Sequence, residues 1–282
     1  MTPPPGLAPF RLLLRSGAGI TGLLIVFLVT LSALAAPLIS PFDPIALNTP
    51  DRLQGPSETH LLGTDQYGRD TLSRIIYGGR VSLAVAVTSI AFAALVGTVL
   101  GLLAGYYRGW VDVLVMRLTD ILLSFPAILL AIALLAFLGG GFRNLVLAIG
   151  IVYIGPFSRV ARAAVLAVRE ELYVEASRAT GAGDARTLFI TLLPNALAPL
   201  IVEVTLRLAY AILAEASLSF LGLGTQPPAP SWGQMIAENR RFLALSPWAT
   251  VAPGLAIMVV VLGFNLLGDG LRDALDPRLG SS

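Results

Sequence analysis

The side chains able to do chemistry in this sequence are carboxylates and arginines, and several sit where the surroundings are apolar. Glu203 and Arg207 stand four residues apart within one long apolar run, and Glu215 follows on the same run. On a helix that spacing puts acid and base on one face, with the acid N-terminal, the more favourable order. A charge at the centre of a bilayer costs about 2.5–3.5 kcal/mol on insertion scales, so such groups pair with each other or face a watery path. Glu203 and Arg207 therefore read first as a structural ion pair. The alternative makes Glu203, Arg207 and Glu215 the polar lining of a translocation path for charged solutes. Asp269, between Gly268 and Gly270, would suit an intramembrane aspartyl protease only if a second carboxylate faced it. It reads instead as part of a helix terminator. Asp120 and Arg117 read as snorkelling side chains at a span boundary.

Other chemistries are excluded by composition. There is no cysteine, and all 19 basic Lys/Arg residues are arginine. Disulfides, thiolate nucleophiles and a Walker A lysine are thus absent. The one histidine, His60, lies in a polar stretch and reads as a solvated side chain, not a metal ligand. No catalytic residue, metal site or bound cofactor is assigned to the chain, and nothing points to nucleic acid.

A second constellation is polar and has no catalytic pattern. Glu171, Glu175, Ala176, Ser177, Thr180 and Gly181 are followed by Leu192-Leu193-Pro194-Asn195. The charges predict a helix of about a dozen residues, which Gly181 can end in the left-handed conformation. Pro194 fits the first turn of the next helix, where its missing N–H costs nothing. A second short helix, stopped by Pro194, would complete a compact knob that a soluble partner could grip.

The elements holding these residues must lie in a membrane. The chain of 282 residues is 56% hydrophobic and 13% charged, with mean hydropathy +0.81; soluble domains carry about 25% charged residues. A crossing helix needs about 20 apolar residues. Six continuous runs qualify: 19–39, 81–106, 118–138, 142–158, 195–221 and 247–267. The expectation is an all-α polytopic bundle of six transmembrane helices. Arginines near the span ends divide eleven to seven, which by the positive-inside rule places both termini in the cytoplasm. The knob, residues 159–194 between spans 4 and 5, then also faces the cytoplasm.

The domain reading follows. Residues 1–18 form a cytoplasmic segment and 19–39 an uncleaved anchor, since the run exceeds a signal peptide's apolar stretch of about 7–15 residues. Residues 40–80 form a structured extracytoplasmic loop, 81–270 the five-span core, and 271–282 a cytoplasmic tail. A second external loop covers 222–246; its Trp232, and Trp248 just beyond it, suit the membrane–water boundary. Pro126 is expected to kink the third span. Gly97, Gly101 and Gly105 form a small-residue stripe for close helix contact, inside this subunit or against a partner.

Glu175-Ala176-Ser177, with Gly181, Leu193 and Pro194 in register, resembles the "EAA" coupling loop of ABC importer permeases. Ser177 stands for the pattern's second alanine and Thr191 for its isoleucine. Three further stretches narrow the resemblance: Gly63-Thr64-Asp65-Gln66-Tyr67-Gly68-Arg69-Asp70, Glu215-Ala216-Ser217-Leu218-Ser219-Phe220-Leu221-Gly222-Leu223-Gly224, and Phe264-Asn265-Leu266-Leu267-Gly268-Asp269-Gly270-Leu271-Arg272-Asp273-Ala274-Leu275-Asp276-Pro277. Together they are similar to the second, C-type permease of the dipeptide/oligopeptide/nickel class. The resemblance implies a multi-pass protein of the bacterial inner membrane. It implies a heterodimer with a homologous permease, two ABC ATPase subunits that use ATP and Mg, and an extracytoplasmic substrate-binding protein. The knob residues Glu171, Glu175, Ala176, Ser177, Thr180, Gly181 and Pro194 would contact the ATPase, and membrane lipid would surround the spans. Peptide import is the expected function, with a nickel or nickel-chelate permease as runner-up. An ion-gradient-driven secondary transporter is the rival from another class, but the repeats and broken midplane helices it calls for are not evident.

Overall fold

The computed structural model describes residues 13–14 and 16–275. Most of segment 1–18 and the tail beyond Leu275 lie outside the described residues. The described chain is helical, and its strand-type pairing is confined to an isolated bridge between Thr64 and Asp70. In order come α1 (Gly17–Leu34), α2 (Ala36–Ile39), α3 (Thr71–Tyr107), α4 (Gly109–Leu123), α5 (Ala127–Leu138) and α6 (Phe142–Val168). Then follow α7 (Leu172–Ala179), α8 (Asp184–Arg186), α9 (Leu193–Phe220), α10 (Trp232–Asn239) and α11 (Trp248–Leu275).

The spans run longer than the apolar runs that announced them. α3 has 37 residues, about 55 Å of helix, and starts at Thr71, inside what sequence places in the 40–80 loop. The Asp70 side chain caps it by accepting from the Ser73 N–H at 2.8 Å, the usual role of an N-cap carboxylate. α8, a π-helical turn (Thr187–Leu192) and α9 form one continuous rod, Asp184–Phe220. The expected stop at Pro194 is absent: Leu193 N–H reaches back to the Leu188 carbonyl, and this widened turn accommodates the proline that follows. α11 likewise continues through Gly268-Asp269-Gly270 to Leu275, so Asp269 is no terminator. Hydropathy marks the segment inside hydrocarbon, whereas helical hydrogen bonding continues into the polar zone beyond it.

Among the described residues five helices are long and apolar enough to cross a membrane; a sixth crossing exists if α4 and α5 act as one span. These two meet at 91°, a break rather than a kink. Pro126 is the N-cap of α5, and α5, with 12 residues, is about 18 Å long, too short to cross alone. α4 lies against α6, where Arg162 forms a two-pronged bond to Asp112 at 2.5 and 2.7 Å. Arg159 donates to Asp120 at 2.7 Å, so Asp120 is paired and not merely snorkelling.

Close helix contacts are made by glycine. A Cβ on Gly97 would lie 2.6 Å from the Ile154 carbonyl oxygen, one on Gly101 would overlap the Ser158 carbonyl, and one on Gly105 would lie 2.9 Å from Val165. The stripe therefore serves α3–α6 packing inside this chain. α1 and α11 meet the same way, antiparallel, with Gly19 against Gly270 and Gly22 against Gly263 and Leu267. Their contact puts the N-terminal end of α1 beside the C-terminal end of α11, so both leave the bundle at one end, the end that carries α7.

The opposite end is closed by residues 40–70 and α10. His60 corrects its sequence reading: it is 5% exposed, its Nδ1 is 2.9 Å from Asp70, and its ring lies 4.8 Å from that of Phe42. Arg69 donates to Asp65 and to Glu238, both at 2.7 Å, and Arg74 reaches the same Glu238 oxygen at 3.1 Å. Trp232 is also buried: it packs over Gly78 and Gly79 and donates its indole N–H to the Ile75 carbonyl at 2.9 Å. Long-range pairing thus buries the polar groups of His60, Asp65, Arg69 and Asp70 within the structured outer loop.

The glycine contacts yield a direct test. Gly101→Val should lower stability by about 1–3 kcal/mol or prevent assembly of the bundle, as overpacking does. Gly254, with open space around its Cα, is the control, and Gly254→Ala should not lower the thermal unfolding temperature in detergent. An unaltered midpoint for Gly101→Val would refute the α3–α6 contact.

Candidate functional site

α7 sits at the end of the bundle from which both termini leave. Its anchor is one side chain: Val174 is fully buried and clusters with Leu102 of α3, Val165 of α6, and Leu188 and Leu192 of the rod. The helix has 8 residues, shorter than the expected dozen, and Glu170 and Glu171 precede it. Glu171, Glu175, Ala176 and Thr180 are exposed and Ser177 is half-buried. Leu172, at 81% exposure, adds an apolar side chain to the acidic surface. Large exposed apolar groups beside a polar rim mark contact surfaces.

Gly181 ends this helix as its residue type predicts. Its φ is +84°, and the Ala182 N–H reaches back to the Ser177 carbonyl at 3.1 Å, the six-to-one bond of a Schellman ending. No atom stands within 4 Å of a Cβ placed there, so glycine serves backbone conformation and not space. The two departures from the coupling-loop pattern meet. The Ser177 and Thr191 hydroxyls are 3.4 Å apart, so a polar contact joins the two positions at which the pattern is apolar. Pro194 is exposed on the rod, one turn past this contact.

Sequence reasoning missed the ties around α7. The Tyr106 and Tyr107 hydroxyls donate to the two carboxylate oxygens of Asp184 at 2.7 and 2.9 Å. Arg169 donates to the carbonyls of Gly105 and Tyr106 at 3.1 and 3.3 Å, meeting the C-terminal end of α3 with positive charge. The available signal was a tyrosine pair ending an apolar span and an acid opening a helix; nothing in their spacing, 77 or 78 residues apart, joins them.

The charges of α9 divide. Arg207 donates to Glu203 at 2.6 Å, and its guanidinium also lies 5.7 Å from the ring centres of Tyr153 and Tyr210. Glu203 borders a cavity of about 450 Å³ shared with Pro199, Val202, Leu206 and Arg272. Glu215 stands apart. It is fully buried, accepts from Ser219 at 2.7 Å, and has the Ser82 and Ser231 hydroxyls beside it. Its carboxyl thus joins α9, α3 and the start of α10. Among the described residues no group of three or more His, Asp or Glu is placed to hold a metal.

This architecture has known counterparts. A family profile described as "Binding-protein-dependent transport system inner membrane component" matches residues 97–281. The chain belongs to that family. A second profile, "N-terminal TM domain of oligopeptide transport permease C", matches residues 9–56. The permease is 47% identical to the dipeptide transport system permease protein DppC of Alkalihalophilus pseudofirmus, covering 96% of this chain and 90% of that one. It is 45% identical to the glutathione transport system permease protein GsiD of Pectobacterium atrosepticum, over 96% and 91%. A solved structure of the MetNI methionine ABC transporter in inward-facing conformations matches with TM-score 0.60 at 21% identity, over 72% of this chain and 96% of that one. The permease is therefore a multi-pass inner-membrane component of a transport system with the ABC-importer permease fold. The family consists of transport components, not enzymes.

The Glu203–Arg207 contact separates structure from transport. Glu203→Gln leaves Arg207 half-satisfied, and stability in detergent should fall by about 2 kcal/mol, the scale of a hydrogen bond to a charged group. Arg207→Met added to it should restore most of that loss. If both single variants keep the wild-type melting temperature, the pair contributes nothing to the fold.

Proposed function

We propose that this chain is one of two related, non-identical permeases in a bacterial ABC importer of dipeptides or short oligopeptides. The observation that carries this is α7: an exposed charged helix with an apolar Leu172, seated through Val174 on the ends of α3, α6 and the rod. Such a knob offers a soluble ATPase a grip, and its seat connects that grip to three spanning helices. The arginine distribution supports a cytoplasmic face for this end and for both termini. The dipeptide and glutathione systems named among the relatives favour peptide over nickel.

In this reading a loaded binding protein docks at the end closed by residues 40–70 and α10. Two ATPase subunits bind and hydrolyse ATP with Mg, one of them gripping α7. The second permease supplies the other half of the path and the other knob. Glu171, Glu175, Ala176, Ser177, Thr180 and Gly181 form or shape the ATPase contact, with Pro194 on the adjoining rod. Glu203 and Arg207 lend polarity to the cavity beside α9, where a peptide's charged ends could be met without covalent chemistry. Glu215 belongs to the packing of the outer end, because its carboxyl is enclosed by hydroxyls and opens to no path.

The lack of cysteine makes the contact testable. Ala179→Cys, labelled with a benzophenone maleimide in the assembled complex, should crosslink to the ATPase subunit on illumination. Gly181→Val forces a Cβ into a left-handed position at about 1–2 kcal/mol, and Glu175→Lys reverses charge at the contact. Both variants should insert and pair with the second permease, yet lose at least tenfold in ATP-dependent dipeptide uptake in proteoliposomes. Wild-type uptake by both, or no crosslink from Ala179→Cys, would remove the coupling role.

A further inference from the structure

The contact between α7 and the spans has two components of different kinds. Val174 and its neighbours form an apolar cluster, which resists separation but sets no direction. Asp184 supplies direction. It is the first residue of the rod Asp184–Phe220 and is bonded to the last two residues of α3, Tyr106 and Tyr107. The two tyrosine rings stand edge to face, 5.0 Å apart at 81°, so each hydroxyl meets a different carboxylate oxygen. At the same place Arg169, the C-cap of α6, holds the terminal carbonyls of α3. The tips of three spanning helices thus meet at one polar joint beside α7.

We propose that Asp184, held by the Tyr106 and Tyr107 hydroxyls, is a positioning residue for energy coupling: it locks the tip of the rod to the tip of α3, so a displacement of α7 moves both helices together. The inference rests on the coupling reading of α7 but assigns a role outside the ATPase contact. A carboxylate suits the place. It opens a helix, where negative charge is favoured, and it can accept from both phenols at once, whereas a neutral amide would turn one of its ends into a donor. Both phenols are rigid on their rings, so the joint transmits position and not merely attraction. Without it, α7 would still sit on Val174 and still present its exposed side, but its motion would be lost in sliding between the tips.

The test compares Asp184→Ala, the double variant Tyr106→Phe/Tyr107→Phe, and the triple variant. Each is built with Ala179→Cys in the complete complex of two permeases, two ATPases and binding protein. Proteoliposome uptake of radiolabelled dialanine is divided by ATP hydrolysed, and the benzophenone crosslink to the ATPase is scored in the same samples. Asp184→Ala and the double variant should each lower uptake per ATP at least threefold with the crosslink retained. The triple should be no worse than Asp184→Ala, because the bonds that the tyrosine changes remove are already lost with the carboxylate. Asp184→Glu, which keeps the charge, should retain more coupling than Asp184→Ala. An unaltered ratio with the crosslink intact would overturn the joint while leaving the coupling reading standing. A lost crosslink in the variants would also overturn it, since Asp184 would then merely shape the docking surface. No crosslink in the parent complex would defeat the coupling reading itself, and the joint with it.

Discussion

Between α3 and α6 the backbones themselves touch, at Gly97, Gly101 and Gly105 against Ile154, Ser158, Ala161 and Val165. In hydrocarbon no hydrophobic drive brings helices together, so association depends on such close dispersion contact and on the few polar bonds available. A contact made by backbone has little rotameric slack. It fixes α3 relative to α6 along the half of α3 nearest α7, and what is attached to either end of α3 inherits that placement. At one end this means the charged group around Arg74 and Trp232 on α10. At the other it means Tyr106, Tyr107 and the seat of Val174. The glycines lie in the membrane, yet they determine where the polar machinery of both surfaces stands.

Sequence made visible what depends on local periodicity and composition. The apolar runs located five of the spans but ran straight through the 91° break that divides the third, the glycine spacing announced a close helix contact, and the i,i+4 order of Glu203 and Arg207 announced an ion pair. Gly181 was legible as a left-handed helix ending because a backbone conformation of that kind is set by a single residue. What sequence concealed depends on partners far along the chain. His60 reads from sequence as solvated and Trp232 as a boundary residue because the residues that bury them, Asp70 with Phe42 and Ile75 with Gly78 and Gly79, lie elsewhere along the chain. Glu215 looked like a lining residue because its enclosing hydroxyls include Ser82, on a different span. Hydropathy missed the helical extensions at Thr71 and Asp184 for another reason: it reports the solvent a residue tolerates, not where backbone hydrogen bonding stops.

Ser177 and Thr191 show how a local departure from a pattern can still conserve a contact. Taken one at a time, each is a polar replacement of an apolar residue, and Thr191 in place of isoleucine seemed to forfeit packing. In the fold they face each other. A hydroxyl is costly only where it lacks a partner, and here each supplies the other's. The π-turn is related to this arrangement: Pro194 cannot donate, and the Leu193 N–H reaches to Leu188 instead. Widening spans Thr187–Leu192, the turn that holds the Ser177 contact, so the rod continues unbroken from Asp184 while its register adjusts ahead of the proline. Pi-helical turns of this kind are found at functional positions in helices.

The two ends of the bundle differ in how their charges are held, and that difference decides where rearrangement is cheap. At the end of 40–70, Asp65, Arg69, Asp70 and Arg74 are each under a tenth exposed. Removing a partner there strips bonds from a desolvated charge, which costs several kcal/mol where it leaves the charge unpaired. At the α7 end, the Asp184 carboxylate and the Arg159–Asp120 pair are exposed. Water can replace a lost partner there, so moving that end costs less than breaking the buried network at the other. α3 connects the two regimes without interruption. Motion of the permease is therefore expected to concentrate at the end that carries α7. There the bonds set direction but do not forbid movement, while the end closed by His60 and Trp232 keeps its geometry.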